Sequence, residues 1–364
     1  MSSHNALLAG TRKGLLLFER NGNGWHATSQ WFGGQPVSYA MHDQRTNTVW
    51  ACLDHGHWGQ KLHRSRDWGT TWEEVKAPAY PEGAEIKTGT PATLRYLWSV
   101  GTGGADRPNT LFFGTEPGGL FRSDDGGDSF TLVDSLWNHP SREDSWFGGG
   151  RDYAGIHSII TDPRNSHRQL IGISCAGVFE TTDDGATWAP INKGLRADYL
   201  PNPDVEVGHD PHLLAMAPSN PDVLWQQNHC GIFRSTDGGR QWEPVSSEGN
   251  DAHFGFAIAV DEKNADRAWV VPAQSDGARM AIGGALRVCR TDDGGRTWTT
   301  LTNGLPQQTC FDVVYRHGLD VTGDTLAFAS TTGNMFISED GGDSWHGQAN
   351  YLPPVYSLRF ASRG

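Results

Sequence analysis

The residues best equipped for chemistry in this chain are histidines, joined by a few carboxylates, cysteines and arginines at matched positions. Of fifteen histidines, His157 and His212 open two apolar segments, Ile156-His157-Ser158-Ile159 and Asp210-Pro211-His212-Leu213-Leu214. The two segments align residue for residue through Pro163 and Pro218. His209 stands three residues ahead of one such start, and His253 three ahead of the next, at Phe256. Turn-like stretches add Asp54-His55-Gly56-His57, Thr115-Glu116-Pro117, Ser174-Cys175-Ala176 and Asn228-His229-Cys230. Imidazole, carboxylate and thiolate are the ligands of divalent transition metals such as Zn, Fe, Mn or Cu. Imidazole and carboxylate are also the usual proton carriers in acid–base catalysis. The pattern therefore nominates His157, His212, His229, His55 and His57 as metal ligands, and Glu116, His253 and Arg95 as catalytic groups. Against this stands the plain alternative that a histidine in a turn is a solvated surface residue. His4, His26, His63, His139, His167, His317 and His346 are read that way, and His42 as structural.

The elements that must position these groups announce themselves by repetition. An eight-residue pattern, Ser/Thr-x-Asp-x-Gly-x-x-Trp/Phe, occurs at Ser65–Trp72, Ser123–Phe130, Thr181–Trp188, Ser235–Trp242, Thr291–Trp298 and Ser338–Trp345. Its central aspartates, Asp67, Asp125, Asp183, Asp237, Asp293 and Asp340, lie 58, 58, 54, 56 and 47 residues apart. A fixed period of this length marks one supersecondary unit per repeat. The Ser/Thr and Asp side chains accept bonds from backbone N–H groups in a tight turn. The fifth residue, always Gly, permits positive φ, and the closing aromatic offers a large area to bury. One Asp per turn supplies too few oxygens for a calcium shell, so the octapeptide is expected to be structural.

On these residues the chain resembles the BNR, or Asp-box, β-propeller proteins, and most closely the single-propeller bacterial group called sialidase-like or photosystem II assembly-factor-like. The resemblance runs through nearly the whole chain and implies an all-β, seven-bladed β-propeller over residues 1–364, with the Asp-box turns on its bottom face. It implies little about function, because its members do unrelated things on one scaffold. Sialidases of the group use an arginine triad, an Arg-Ile-Pro motif and a Tyr/Glu pair. Here the first turn reads Gly10-Thr11-Arg12-Lys13-Gly14 and no Arg-Ile-Pro occurs, so sialidase activity is not expected.

Apolar runs supply the strands. Val37–Met41, Thr48–Leu53, Lys61–Arg64 and Thr71–Val75 form one blade; Leu94–Val100, Thr110–Gly114, Leu120–Arg122 and Ser129–Val133 form the next. Later blades open with His157–Thr161, Leu213–Ala217, Phe256–Val260 and Asp312–Arg316. Leu7–Thr11, Leu15–Glu19 and the C-terminal run Tyr356–Phe360 are left to complete a seventh blade from both ends. Such pairing removes open sheet edges. In this arrangement the histidine-bearing turns and inner-strand starts gather on the top face, at the channel mouth. Three long inter-blade connections, Lys76–Thr93, Asp134–Gly155 and Asn192–Asp210, are of a length that is usually functional, and Trp137, Trp146, Phe147 and Tyr153 supply an aromatic wall or lid.

Composition bounds the rest. The net charge of −13 argues against nucleic acid and anionic membranes as partners. No apolar stretch reaches transmembrane length. The N-terminus has no signal-peptide pattern, and five dispersed cysteines are read as free thiols of a cytoplasmic protein. The sequence leaves the oligomeric state open. Three functions compete. The first is a small-molecule enzyme, a hydrolase, lyase or oxygen-using catalyst, whose histidine cluster binds a divalent metal or acts as acid and base. The second is a glycoside hydrolase acting on a saccharide with paired carboxylates drawn from Glu116, Asp210 and Asp251. The third is a non-catalytic assembly scaffold.

Overall fold

A computed structural model describes residues 4–22 and 24–363. The fold is a seven-bladed β-propeller, nearly all-β, built from seven four-stranded sheets. Two compact units divide the chain, one of residues 1–40 and 212–364 and the other of residues 41–211. Both cuts fall inside strands, Val37–Asp43 and Pro211–Met216, so the residues on either side of each cut are fixed by one continuous stretch of backbone.

In the first unit, three sheets each run through consecutive antiparallel strands, beginning at Pro211–Met216, Gly255–Val260 and Leu319–Thr322. A fourth sheet joins Gly24–Trp31, Gly14–Asn21, Ala6–Thr11 and Val355–Ala361 in that order. Its C-terminal strand lies antiparallel to Ala6–Thr11, with Leu7 opposite Phe360 and Ala9 opposite Leu358. Apolar residues of neighbouring strands fill the spaces between sheets: Trp269, Leu326, Phe328 and Trp345 share one buried cluster, and Leu7, Phe18, Trp25 and Leu358 another.

The second unit holds the sheets that contain Thr48–His55, Tyr96–Thr102 and Ile156–Asp162. Phe112, Ile156, Ile171 and Phe179 pack together between the latter two. The long connections carry structure of their own. Glu85–Lys87 pairs with Thr90–Pro91, and the next connection contains two single-turn helices, Asp134–Trp137 and Arg142–Ser145.

Each octapeptide forms the same bonded turn. At Ser123–Phe130 the Ser123 hydroxyl donates to Asp125 Oδ1 (2.7 Å) and accepts from Gly127 N (2.9 Å), while Asp125 Oδ1 accepts from Ser129 N (3.0 Å). Gly127 sits at φ 89° against Trp50, where an added Cβ would come within 2.3 Å of the indole; only glycine meets both demands.

Two expectations need correction. Asp312–Arg316 is not a strand; Leu319–Thr322 pairs with Thr325–Ala329 across a two-residue Gly323-Asp324 turn. The Asp312 carboxylate instead ties a loop together, accepting from Cys310 Sγ, Thr332 Oγ1 and Asn334 Nδ2. Bonding of this kind holds a residue out of the sheet ladder. His317, read as a surface residue, is buried and meets the Tyr39 ring edge-on at 4.9 Å.

Candidate functional site

Strand Pro211–Met216 carries His212 at its second position, and the strand Leu224–Asn228 leads into the turn that bears His229. The two imidazoles lie with ring centres 5.6 Å apart and nearly perpendicular. His212 is buried, stacks on Phe256 at 4.7 Å, and places Nδ1 2.6 Å from the carbonyl oxygen of Gly255. A carbonyl only accepts, so Nδ1 carries the proton and Nε2 is the nitrogen with a lone pair for an ion. A ring nitrogen fixed by a backbone carbonyl is the usual support of a metal-binding histidine. Asp210, two residues earlier on the same stretch of chain, completes the group. One oxygen of its carboxylate and one nitrogen of each histidine lie within 4.8 Å of one another. Asp210 Oδ1 accepts from the backbone N–H of Cys175 (3.1 Å), which sets the carboxylate's orientation. Phe254 stands edge-on to both imidazoles at 5.7 Å, giving the site an apolar wall.

A second cluster lies within the unit of residues 41–211. Glu116, at the end of strand Leu111–Glu116, is buried and pairs through Oε2 with Arg151 Nη1 (2.9 Å). The Arg151 guanidinium lies 3.6 Å from the Tyr96 ring centre and 5.0 Å from that of Trp98. Trp98 in turn meets His157 edge-on at 5.7 Å, and His157 Nδ1 lies 2.9 Å from the Ser158 hydroxyl. Arg95 packs over Tyr153 at 4.7 Å and pairs with Asp152 at 3.0 Å. Glu116, Arg95 and His157 thus belong to one aromatic-lined cluster, in which the carboxylate is already neutralised by an arginine.

The remaining nominees sit apart. His55 Nδ1 accepts from Trp58 N (3.1 Å), and His57 meets the exposed Trp58 ring at 4.5 Å, so both are engaged within their own turn. His253 Nδ1 lies 3.0 Å from the Ser246 hydroxyl, and burial pushes this imidazole below its ordinary range, outweighing the opposing pull of Glu248. Asp251 is held by Arg287 (2.6 Å) and the Thr300 hydroxyl (2.9 Å). A cavity of about 1000 Å³ lies along the octapeptide turns around Asp237 and Asp293 and is lined by none of the metal-capable group. Donor chemistry rather than volume therefore singles out Asp210, His212 and His229. The sequence nominated both histidines as metal ligands, but it assigned Asp210 to carboxylate-pair chemistry. Its position two residues before His212 was the available signal.

No protein-family model matches the chain. Over 264 residues it is 26% identical to the xyloglucanase Xgh74A of Acetivibrio thermocellus, a match covering 65% of this chain but 28% of that enzyme. A xyloglucanase of a Paenibacillus species is 27% identical over 255 residues, covering 65% of this chain and 23% of the enzyme. The chain therefore spans about a quarter of the length of these relatives. Among solved structures, an ancestral GH74 enzyme superposes with a TM-score of 0.60 at 16% identity, over 86% of this chain and 38% of the other. YCF48 bound to D1 peptide superposes with a TM-score of 0.58 at 16% identity, over 88% and 84%. These likenesses agree with the propeller seen in the sheets.

Proposed function

We propose that the protein is a small-molecule enzyme whose centre is a divalent metal ion held by Asp210, His212 and His229. The observation that carries this reading is the convergence of one carboxylate and two imidazoles within 4.8 Å, with His212 and Asp210 each held by a backbone group. Two histidines and a carboxylate leave coordination positions for substrate and water, the arrangement of both hydrolytic zinc sites and non-haem iron sites. A metal there would supply Lewis acidity and lower the pKa of bound water. The chain's own contribution is orientation: the Gly255 carbonyl fixes the His212 tautomer, the Cys175 amide fixes Asp210, and Phe254 and Phe256 limit solvent. Metal analysis of untagged protein tests the reading. About one equivalent of a transition metal is expected, and Asp210→Asn should lower it; protein that neither retains nor takes up any transition metal would sink the proposal.

A second reading, glycoside hydrolysis, is favoured by the match to xyloglucanases over 65% of the chain. Glu116 and Asp152 offer carboxylates beside Tyr96, Trp98 and Tyr153, and apolar ring faces of this kind line many ligand sites. Release of reducing ends from xyloglucan oligosaccharides, lost in Glu116→Gln at unchanged metal content, would favour this reading over the first.

A further inference from the structure

The long connection between the strands Thr131–Leu132 and Ile156–Asp162 borders a cavity of about 200 Å³ that the metal reading does not use. Its walls include Trp137, Trp146, Phe147 and Tyr153, the aromatic residues that stood out in the sequence. Two cations, Lys87 and Arg142, line it as well. The Arg142 guanidinium lies 4.0 Å from the Trp137 ring centre, and its Nη1 donates to the carbonyls of Glu85 (3.1 Å) and Ile86. Its Nε, by contrast, is buried and has no hydrogen-bond partner among the described residues.

Nearby acids are otherwise occupied. Asp152, which also lines the cavity, pairs with Arg95, and Glu143 accepts from the backbone N–H of Thr88 (3.1 Å). Glycines at Gly118 and Gly148 let neighbouring groups of the wall approach closely. A Cβ on Gly118 would press against Trp146 at 3.1 Å, and one on Gly148 would collide with the Asp152 carbonyl. The volume falls below the ~300–1,000 Å³ of drug-sized pockets, which suits a ligand of one ring.

We infer that this cavity is a binding site for a single-ring aromatic carboxylate, its ring among the aromatic side chains and its carboxylate paired with the Arg142 guanidinium and the Lys87 ammonium. Planar rings pack against Trp and Tyr in offset or edge-on geometry. A carboxylate taking charge-assisted bonds from two cations gains most where water is excluded.

The test is calorimetric titration of the full chain with benzoate, benzamide and acetate. Benzoate binds, benzamide binds at least tenfold more weakly, and acetate gives no saturable heat. Lys87→Gln, at a half-buried position, brings benzoate down to the benzamide level. Arg142→Lys keeps the charge but loses the donor beside Trp137 and weakens benzoate to a similar extent, with a melting curve confirming that the loop is intact. His212→Ala leaves benzoate binding unchanged, which separates this cavity from the metal centre. Equal affinity for benzoate and benzamide, no binding of either, or loss of benzoate binding in His212→Ala overturns the assignment.

Discussion

Replacing Asp340 by alanine tests the claim that the octapeptides act on stability alone. Oδ1 of Asp340 accepts from the Ser338 hydroxyl (2.7 Å) and Ser344 N (2.9 Å), and Oδ2 from the Ser344 hydroxyl. The turn beneath places Gly342 at φ 96° near Trp269 and Leu301, so its geometry is transmitted to a buried cluster. Three bonds to an ionised acceptor would be strong if buried, but this carboxylate is exposed. At the lower end of the usual range, under 1 kcal/mol apiece after solvent screening, the loss is about 2 kcal/mol. Set against an unfolding entropy of about 2.1 cal/mol/K per residue over the whole chain, that lowers Tm by about 3 °C. Burial pushes the Asp340 carboxyl up, but the bonds from Ser344 and Ser338 outweigh it and hold the group at about 2. A folded pKa below the unfolded value means the stabilisation is complete above about pH 4 and is lost as pH falls through about 2. Thermal melts of wild type and Asp340→Ala at pH 7 and at pH 2 form the assay. The gap should be wide at pH 7 and nearly closed at pH 2, with metal content per folded molecule unchanged. A variant that melts with the wild type at pH 7, or that stays folded and loses metal, refutes the reasoning.

Leu358→Ala should cost about 2–5 kcal/mol, because Leu358 is fully buried beside Leu7 and Phe18 on the strand that pairs with Ala6–Thr11; urea unfolding reads this out. Deleting Tyr356–Gly364 should be more damaging still, and a truncated chain that melts like the intact one would show that the pairing contributes little. Glu116→Gln removes the carboxylate that meets Arg151 over Tyr96 and should cost about 1–3 kcal/mol. Circular-dichroism melts would detect that loss, and unchanged metal content would separate this cluster from the histidines.

What was legible in the sequence follows from how local each signal is. The octapeptide encodes its own hydrogen bonds within eight residues, so its turns and the strands beside them were readable directly. The strand Leu319–Thr322 was missed because the more apolar stretch around Val313 and Val314 drew the assignment upstream. Gly323-Asp324, a two-residue hairpin turn, was the better guide. His317 looked like a surface group because nothing near it in sequence reveals Tyr39, which meets it from nearly three hundred residues away. His212 and His229 were nominated from their positions at a strand start and a turn. Asp210 stood two residues before His212, but its approach to His229 needed the three-dimensional path of the chain, and so did the pairing of Glu116 with Arg151. The unmet Nε of Arg142 has no sequence signature at all.

The central claim is tested most directly by loading metal-free protein with zinc or cobalt and locating the ion by anomalous diffraction. A single peak is expected at bonding distance, ~2.0–2.2 Å, from one carboxylate oxygen of Asp210 and one nitrogen each of His212 and His229. His212→Ala crystals treated alike should show none there. A peak elsewhere, or no peak among these three side chains at saturating metal, contradicts the account.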